Sequence, residues 1–107
     1  MTTTVDDIAV VAAALPTLGR FGFGLELPLP TDSDFLAQVD AARSFIRSAP
    51  DPRVTITGRG AYHLKHRAER HAHTYVSVGA LVAGAALEGI APVRNGAGPN
   101  CRFEAIR

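Results

Sequence analysis

The chain has 107 residues, a net charge of +1 and one cysteine; 47% of its residues are hydrophobic and 20% are charged. These values predict one globular domain over residues 1–107 and exclude a fold held by internal disulfides. The first twenty residues carry acids where a signal peptide would carry bases. The longest uncharged run, residues 72–87, is too short to span a membrane. We therefore expect a cytoplasmic protein.

Local patterns in the first half of the chain predict two helices separated by a strand. Thr4 followed by Asp7 is the pattern of a capping box and predicts a helix over residues 5–15. In RFGFGLELP, phenylalanine and leucine alternate with glycine and glutamate, which predicts a strand over residues 20–28 with one apolar face. Aspartates in the first turn and an amphipathic stripe then predict a helix over residues 33–48.

The second half is predicted to hold a pair of helices between two short strands. The β-branched segment RVTIT predicts a strand over residues 53–57, and CRFEAI predicts another over residues 101–106. Apolar periodicity, an N-cap serine and a stop glycine predict helices over residues 61–73 and 78–88. The predicted fold class is therefore α+β, with about four helices and about three strands in one small domain.

Charge is distributed unevenly along the chain. Residues 1–52 hold seven acids against three basic residues, whereas residues 53–107 hold eight basic residues against three acids. Such asymmetry indicates a face that binds a polyanion. The alternative interpretation is that the acidic and basic halves attract each other within the fold.

The start of the third helix is predicted to be an anion site. A predicted strand leads into it through Gly58, Arg59 and Gly60, and no acid occurs between Asp51 and Glu69. Such a turn exposes backbone N–H groups at the positive end of a helix, where phosphate groups bind. The alternative is an ordinary glycine turn with Arg59 in solvent.

The third helix also carries a basic face, so the leading hypothesis is a non-enzymatic module that binds a polyanion, with nucleic acid as the first candidate. Protonation of its histidines below about pH 6.5 would strengthen this binding. The pair of helices lacks the apolar positions and turn glycine of a helix-turn-helix motif. The candidate ligand-binding residues are Gly58, Arg59, Gly60, His63, Lys65, His66, Arg67 and Arg70.

Enzymatic and metal-dependent functions are weaker hypotheses, and we expect no cofactor and no catalytic residue. His63, His66, Glu69 and His73 have spacings that would gather metal ligands on one helix face, but the interleaved arginines would repel a cation. Nothing in the sequence fixes a histidine beside Cys101, which we expect to be a small, partly buried strand residue.

The helix over residues 78–88 supports a second hypothesis. It is apolar on nearly all sides and rich in glycine and alanine, a pattern typical of a helix packed centrally or against another subunit. The alternative function is therefore a protein–protein interaction module, an inhibitor or assembly component, that acts through this helix. Its partner would be another protein or a second copy of the chain, and no membrane partner is expected.

Three segments of the C-terminal half resemble a pattern in small proteins of bacterial phages and plasmids. They are YHLKHRAE at residues 62–69, YVSVGAL at residues 75–81 and NCRF at residues 100–103. The pattern reads S-Y-x-L-K-H-x-x-E, then Y-V-S-N-G-A, then N-x-x-F, so Ala61 and Val78 depart from its serine and asparagine. The resemblance implies a mobile-element context and no particular activity.

Overall fold

The computed structural model describes residues 2–51, 55–94 and 96–105. Within these ranges, four helices of ten or more residues combine with two small antiparallel sheets, which confirms the α+β fold class. None of these helices has both the length and the apolar character needed to cross a bilayer. The elements in chain order are α1 (Val5–Ala14), β1 (Leu18–Gly19), β2 (Gly22–Phe23), α2 (Ser33–Ser48), α3 (Ala61–Ala72), α4 (Val78–Leu87), β3 (Ile90–Val93) and β4 (Arg102–Ala105).

The four helices begin and end within one residue of their predicted bounds. The hydroxyl of Thr4 accepts a hydrogen bond from the N–H of Asp7, and the Asp7 carboxylate accepts one from the N–H of Thr4. This completes the predicted capping box of α1. Asp32 and Ser77 cap α2 and α4 by accepting hydrogen bonds from backbone N–H groups three residues further on.

Helix α4 lies at the centre of the domain, in contact with α1, α2, α3 and β3. Eight of its ten residues are buried. A Cβ atom at Gly84 would lie 2.8 Å from the Cβ of Ala42 on α2, and one at Gly79 would overlap the carbonyl oxygen of Gly19. The helix expected to act as an interaction surface is thus covered by its own chain, and the protein–protein interaction function stays a prediction.

A tight hairpin replaces the strand predicted over residues 20–28, which corrects that prediction. β1 pairs antiparallel with β2 over residues 18–23. The backbone then leaves the extended region, since Gly22, Gly24 and Glu26 have φ values of 121°, 80° and 55°. The alternation of apolar residues with glycine therefore marks a turning segment.

The strand predicted over residues 101–106 is confirmed as β4 for its described part. β4 pairs antiparallel with β3, with Pro92 opposite Phe103. β3 itself is not predicted by the sequence patterns, because proline is typical of loops and is accommodated in strands mainly at edges.

The segment before α3 differs from the prediction of a strand over residues 53–57. Thr55 and Ile56 are helical, and the N–H of Thr55 donates to the carbonyl of Asp51 at 3.0 Å. Ile56 is buried at 1% exposure. Residues 53 and 54 lie outside the described residues, so the correction applies to residues 55–57.

Candidate nucleic-acid interface on helix α3

Four basic side chains share one face of α3. His63, His66, Arg67 and Arg70 are spaced i, i+3, i+4 and i+7, which places them on one side of a helix. Arg67 is half-buried and the other three are exposed. The opposite side of α3 is buried against α2 and α4. We call these four residues the basic stripe.

The members of the basic stripe differ in how firmly they are held. The guanidinium of Arg67 lies 6.0 Å from the centroid of the Phe45 ring. Nδ1 of His66 lies 3.1 Å from the carboxylate of Glu69. For His63 and Arg70, the described part of the chain shows no ion pair and no ring contact. These two side chains are therefore open to a ligand.

Lys65, predicted as a phosphate contact, does not belong to the basic stripe. Its side chain lies towards the buried side of α3 and is 8% exposed as a residue. Nζ donates to Oε2 of Glu69 at 3.2 Å and lies 4.7 Å from the ring centroid of Tyr75 and 5.8 Å from that of Tyr62. The correction follows from helix geometry, because position 65 lies beside the apolar residues of α3 and not beside the other basic ones.

Glu69 ties α3 to the segment that leads into α4. Besides Lys65 and His66, its carboxylate accepts a hydrogen bond from the N–H of Val76 at 3.1 Å. Burial acts to raise the pKa of Glu69, but the hydrogen bonds from Val76, Lys65 and His66 outweigh burial and hold this pKa below its usual value. Glu69 is therefore an ionised partner for Lys65 at neutral pH.

The start of α3 is already occupied by a distant segment of the chain. The N–H of Ala61 donates to the carbonyl of Cys101 at 2.8 Å, and the N–H of Tyr62 donates to Oδ1 of Asn100 at 3.0 Å. Asn100 lies 38 residues beyond Tyr62 and supplies the cap that the helix lacks locally. The missing acid at the helix start thus has a structural explanation.

The three residues predicted to cradle a phosphate are arranged around the same segment. Gly58 has a φ of 78° and its N–H donates to the carbonyl of Phe103 at 2.9 Å. Arg59 donates from Nε to the carbonyl of Thr55 at 2.8 Å, and Gly60 forms a β-bridge with strand β4. This corrects the expectation of an open N–H cradle, because the N–H of Gly58 and the first two N–H groups of α3 already have acceptors.

A groove of about 410 Å³ lies beside the basic stripe, on the Lys65 side of α3. Its aromatic and leucine side chains are between 40% and 58% exposed. Sequence reasoning misses this groove, since its walls come from three segments far apart in the chain; an aromatic residue on the polar side of α3 is the one local signal. The residues that define this aromatic groove are Phe21, Leu25, Tyr62, Lys65, Tyr75 and Asn100.

The histidines and the cysteine show no arrangement for metal or nucleophile chemistry. In residues 2–51, 55–94 and 96–105, no group of three or more His, Cys, Asp or Glu side chains is placed to hold a metal ion. Cys101 is 4% exposed, and burial raises the pKa of its thiol to about 11. A thiol of this pKa is almost wholly protonated at neutral pH and is a poor nucleophile.

Comparison with known proteins found no matching family model, no matching curated protein and no matching solved structure. The resemblance of residues 62–69, 75–81 and 100–103 to phage and plasmid proteins therefore stays a prediction.

Proposed function

We propose that this protein is a non-enzymatic module that binds a polyanion, with nucleic acid as its natural ligand, through the basic stripe. The observation that carries the proposal is the placement of His63, His66, Arg67 and Arg70 on one face of α3. Phosphate groups need only positioned cations and donors, which such a face supplies. The resemblance to phage and plasmid proteins supports a role in a mobile element.

The charges around the basic stripe support this function. Helix α3, like α4, carries no acid in its first turn, so no carboxylate there offsets the charge of the stripe. Among the described residues, no carboxylate from the acidic first half of the chain lies within 4.0 Å of a stripe side chain. The acid beside the stripe is Glu69, which pairs with Lys65 and also lies 3.1 Å from Nδ1 of His66, whereas Arg67 and Arg70 form no ion pair with a described residue. The stripe therefore keeps positive charge for a ligand.

The expected strength of binding follows from the number of permanent charges. Arg67 and Arg70 are charged at any physiological pH and offer two phosphate contacts. In a plot of log K against log salt concentration, two contacts give a slope of about −1.8 for duplex DNA and about −1.4 for a single strand, so binding falls on the order of tenfold between roughly 50 and 200 mM salt. Such an interface is detectable at low salt and weak at high salt.

The test is a fluorescence-anisotropy titration of labelled DNA and RNA over a salt series starting near 50 mM. Arg67→Ala combined with Arg70→Ala is expected to weaken binding by at least about tenfold and to remove nearly all of the salt dependence. The matched control replaces both arginines with lysine, which keeps the charges and is expected to keep the salt slope.

A second control uses Arg94, a basic residue outside helix α3. Arg94 is exposed and lies over the ring of Phe23, 4.6 Å from its centroid, so Arg94→Ala removes one positive charge elsewhere on the surface. This variant is expected to bind like the parent protein. The absence of any binding near 50 mM salt, or equal losses for Arg94→Ala and the double alanine variant, would refute the proposal.

A further inference from the structure

Backbone hydrogen bonds hold the walls of the aromatic groove together. The N–H of Phe23 donates to the carbonyl of Pro99 at 3.0 Å, and the N–H of Gly79 donates to the carbonyl of Arg20 at 3.0 Å. These bonds join the β1–β2 hairpin to the segment before β4 and to the start of α4. A preformed concavity of this volume falls within the range of small-ligand sites, about 300–1,000 Å³.

The groove presents ring surfaces to solvent. Tyr62 and Tyr75 are 58% and 51% exposed, and Phe21 on the opposite segment is 40% exposed. These rings come from α3, from the α3–α4 connection and from the hairpin. Exposed aromatic rings beside a basic surface are the feature by which proteins stack the bases of single-stranded nucleic acids.

The polar groups of the groove favour an occupant with acceptor oxygens. Aromatic cages commonly hold a cation, but here Lys65 already supplies the cation, and none of the residues lining the groove in the described ranges is acidic. One of the three N–H donors of Lys65 is hydrogen-bonded to Glu69, which leaves two for a ligand. Asn100 uses Oδ1 to accept the N–H groups of Tyr62 and Cys101, which leaves its NH₂ group as a donor.

The groove is continuous with the basic stripe. The Tyr62 ring at the groove edge meets the ring of His66, a stripe residue, edge-on at 4.9 Å between centroids. We infer that the aromatic groove takes an unpaired nucleobase, so the nucleic acid whose phosphates contact the stripe is single-stranded. This inference rests on the proposed function of the stripe and specifies the form of its ligand.

The chain offers a specific optical probe for this inference. It contains two tyrosines and no tryptophan, and both tyrosines, Tyr62 and Tyr75, line the groove. Intrinsic tyrosine emission therefore reports on the groove alone. The protein is titrated near 50 mM salt with an oligothymidylate of about twelve nucleotides, and with an abasic phosphodiester of the same length and charge.

The base-bearing strand is expected to bind on the order of tenfold more tightly than the abasic strand. After correction for the excitation light that thymine absorbs, it is also expected to quench the tyrosine emission, which the abasic strand leaves unchanged. Tyr75→Ala is expected to remove most of this preference, whereas Tyr75→Phe keeps the ring and the preference. Because Tyr75 is about half exposed, both variants should fold, which circular dichroism checks.

Different experimental outcomes would overturn the groove inference and the stripe proposal. Equal affinity and equal emission for the two strands would overturn the groove inference while leaving the stripe proposal intact. A response of the tyrosines to an apolar peptide, but not to the oligothymidylate, would also overturn it. If neither strand binds near 50 mM salt, the stripe proposal fails, and the groove inference, which rests on it, fails with it.

Discussion

Replacing Glu69 with alanine is expected to lower the free energy of unfolding by about 1–3 kcal/mol at pH 7. The carboxylate is the counter-ion of Lys65, which is 8% exposed, and it accepts the N–H of the fully buried Val76. The alanine variant leaves the buried N–H of Val76 without its acceptor and the ammonium of Lys65, which lines the aromatic groove, without its counter-ion. Domains of this size have a total stability of about 5–15 kcal/mol, so the loss is a large fraction.

The matched control for this substitution is Glu69→Gln. Glutamine keeps a carbonyl oxygen that can accept from Val76 and Lys65 but removes the negative charge. We expect this variant to lose about 1–2 kcal/mol, because the hydrogen bonds remain and the ion pair does not. Urea denaturation followed by circular dichroism gives the free energy of unfolding for each variant.

The pH dependence gives an independent check on Glu69. Its pKa in the folded protein is below the ordinary value of 4.5, so the folded state binds this proton less tightly than the unfolded state. The stability that the carboxylate contributes is therefore present above about pH 4.5 and is lost as the pH falls through the lower, folded value. The reasoning would be refuted if the variants unfolded at pH 7 with free energies within about 0.5 kcal/mol of the parent value. It would also be refuted if the difference in unfolding free energy between the parent and Glu69→Gln stayed constant down to about pH 3.

Two further substitutions test how the segments are joined. Gly79→Ala is expected to cost at least about 1–3 kcal/mol, because its Cβ would overlap backbone carbonyls of the β1–β2 hairpin, whereas Gly98→Ala, with no atom within 4 Å of its Cβ, should stay within about 0.5 kcal/mol of the parent. Equal melting temperatures for the two would contradict this packing. Asn100→Ala should cost about 0.5–2 kcal/mol, since the N–H groups of Tyr62 and Cys101 lose their acceptor. Asn100→Asp keeps that acceptor, so thermal denaturation showing equal losses for aspartate and alanine would exclude a capping role.

The helices could be predicted because their end signals are local. Thr4 and Asp7 complete a capping box within a single turn, and Ser77 accepts from an N–H three residues away. Such bonds form wherever the segment becomes helical, so the sequence window contains the information needed. The same holds for the basic stripe, since the positions of its residues follow from helical periodicity alone.

The strands were harder to predict because tertiary contacts override local preference. Thr55 and Ile56 are β-branched, yet they are helical and Ile56 is buried. In the hairpin, Gly22 and Gly24 adopt positive φ values, which an alternation of apolar residues does not reveal. β-propensity describes how a side chain fits its neighbours, and those neighbours are distant in the sequence.

The aromatic groove and the cap of α3 could not be predicted from the sequence, because each is formed by residues that are far apart in the chain. The surroundings of Lys65 depend on Tyr75, ten residues later, and the start of α3 depends on Asn100, 38 residues beyond Tyr62. No short window contains either pair. The sequence therefore predicts that Lys65 is an exposed phosphate contact like its basic neighbours, although its ammonium lies close to two tyrosine rings.

The burial of α4 determines which positions of this sequence can accept substitutions. Helices α2 and α3 each have an exposed side, so acceptable replacements should recur every three or four positions along them. In α4, eight of ten residues are buried, and Gly79 and Gly84 leave no space for a larger side chain. Neither a larger nor a polar side chain is accommodated at the eight buried positions of this helix. We therefore expect sequence changes to be tolerated mainly on the outer helices and loops, where the proposed ligand-facing residues lie. Binding preferences could then change while the fold stays the same.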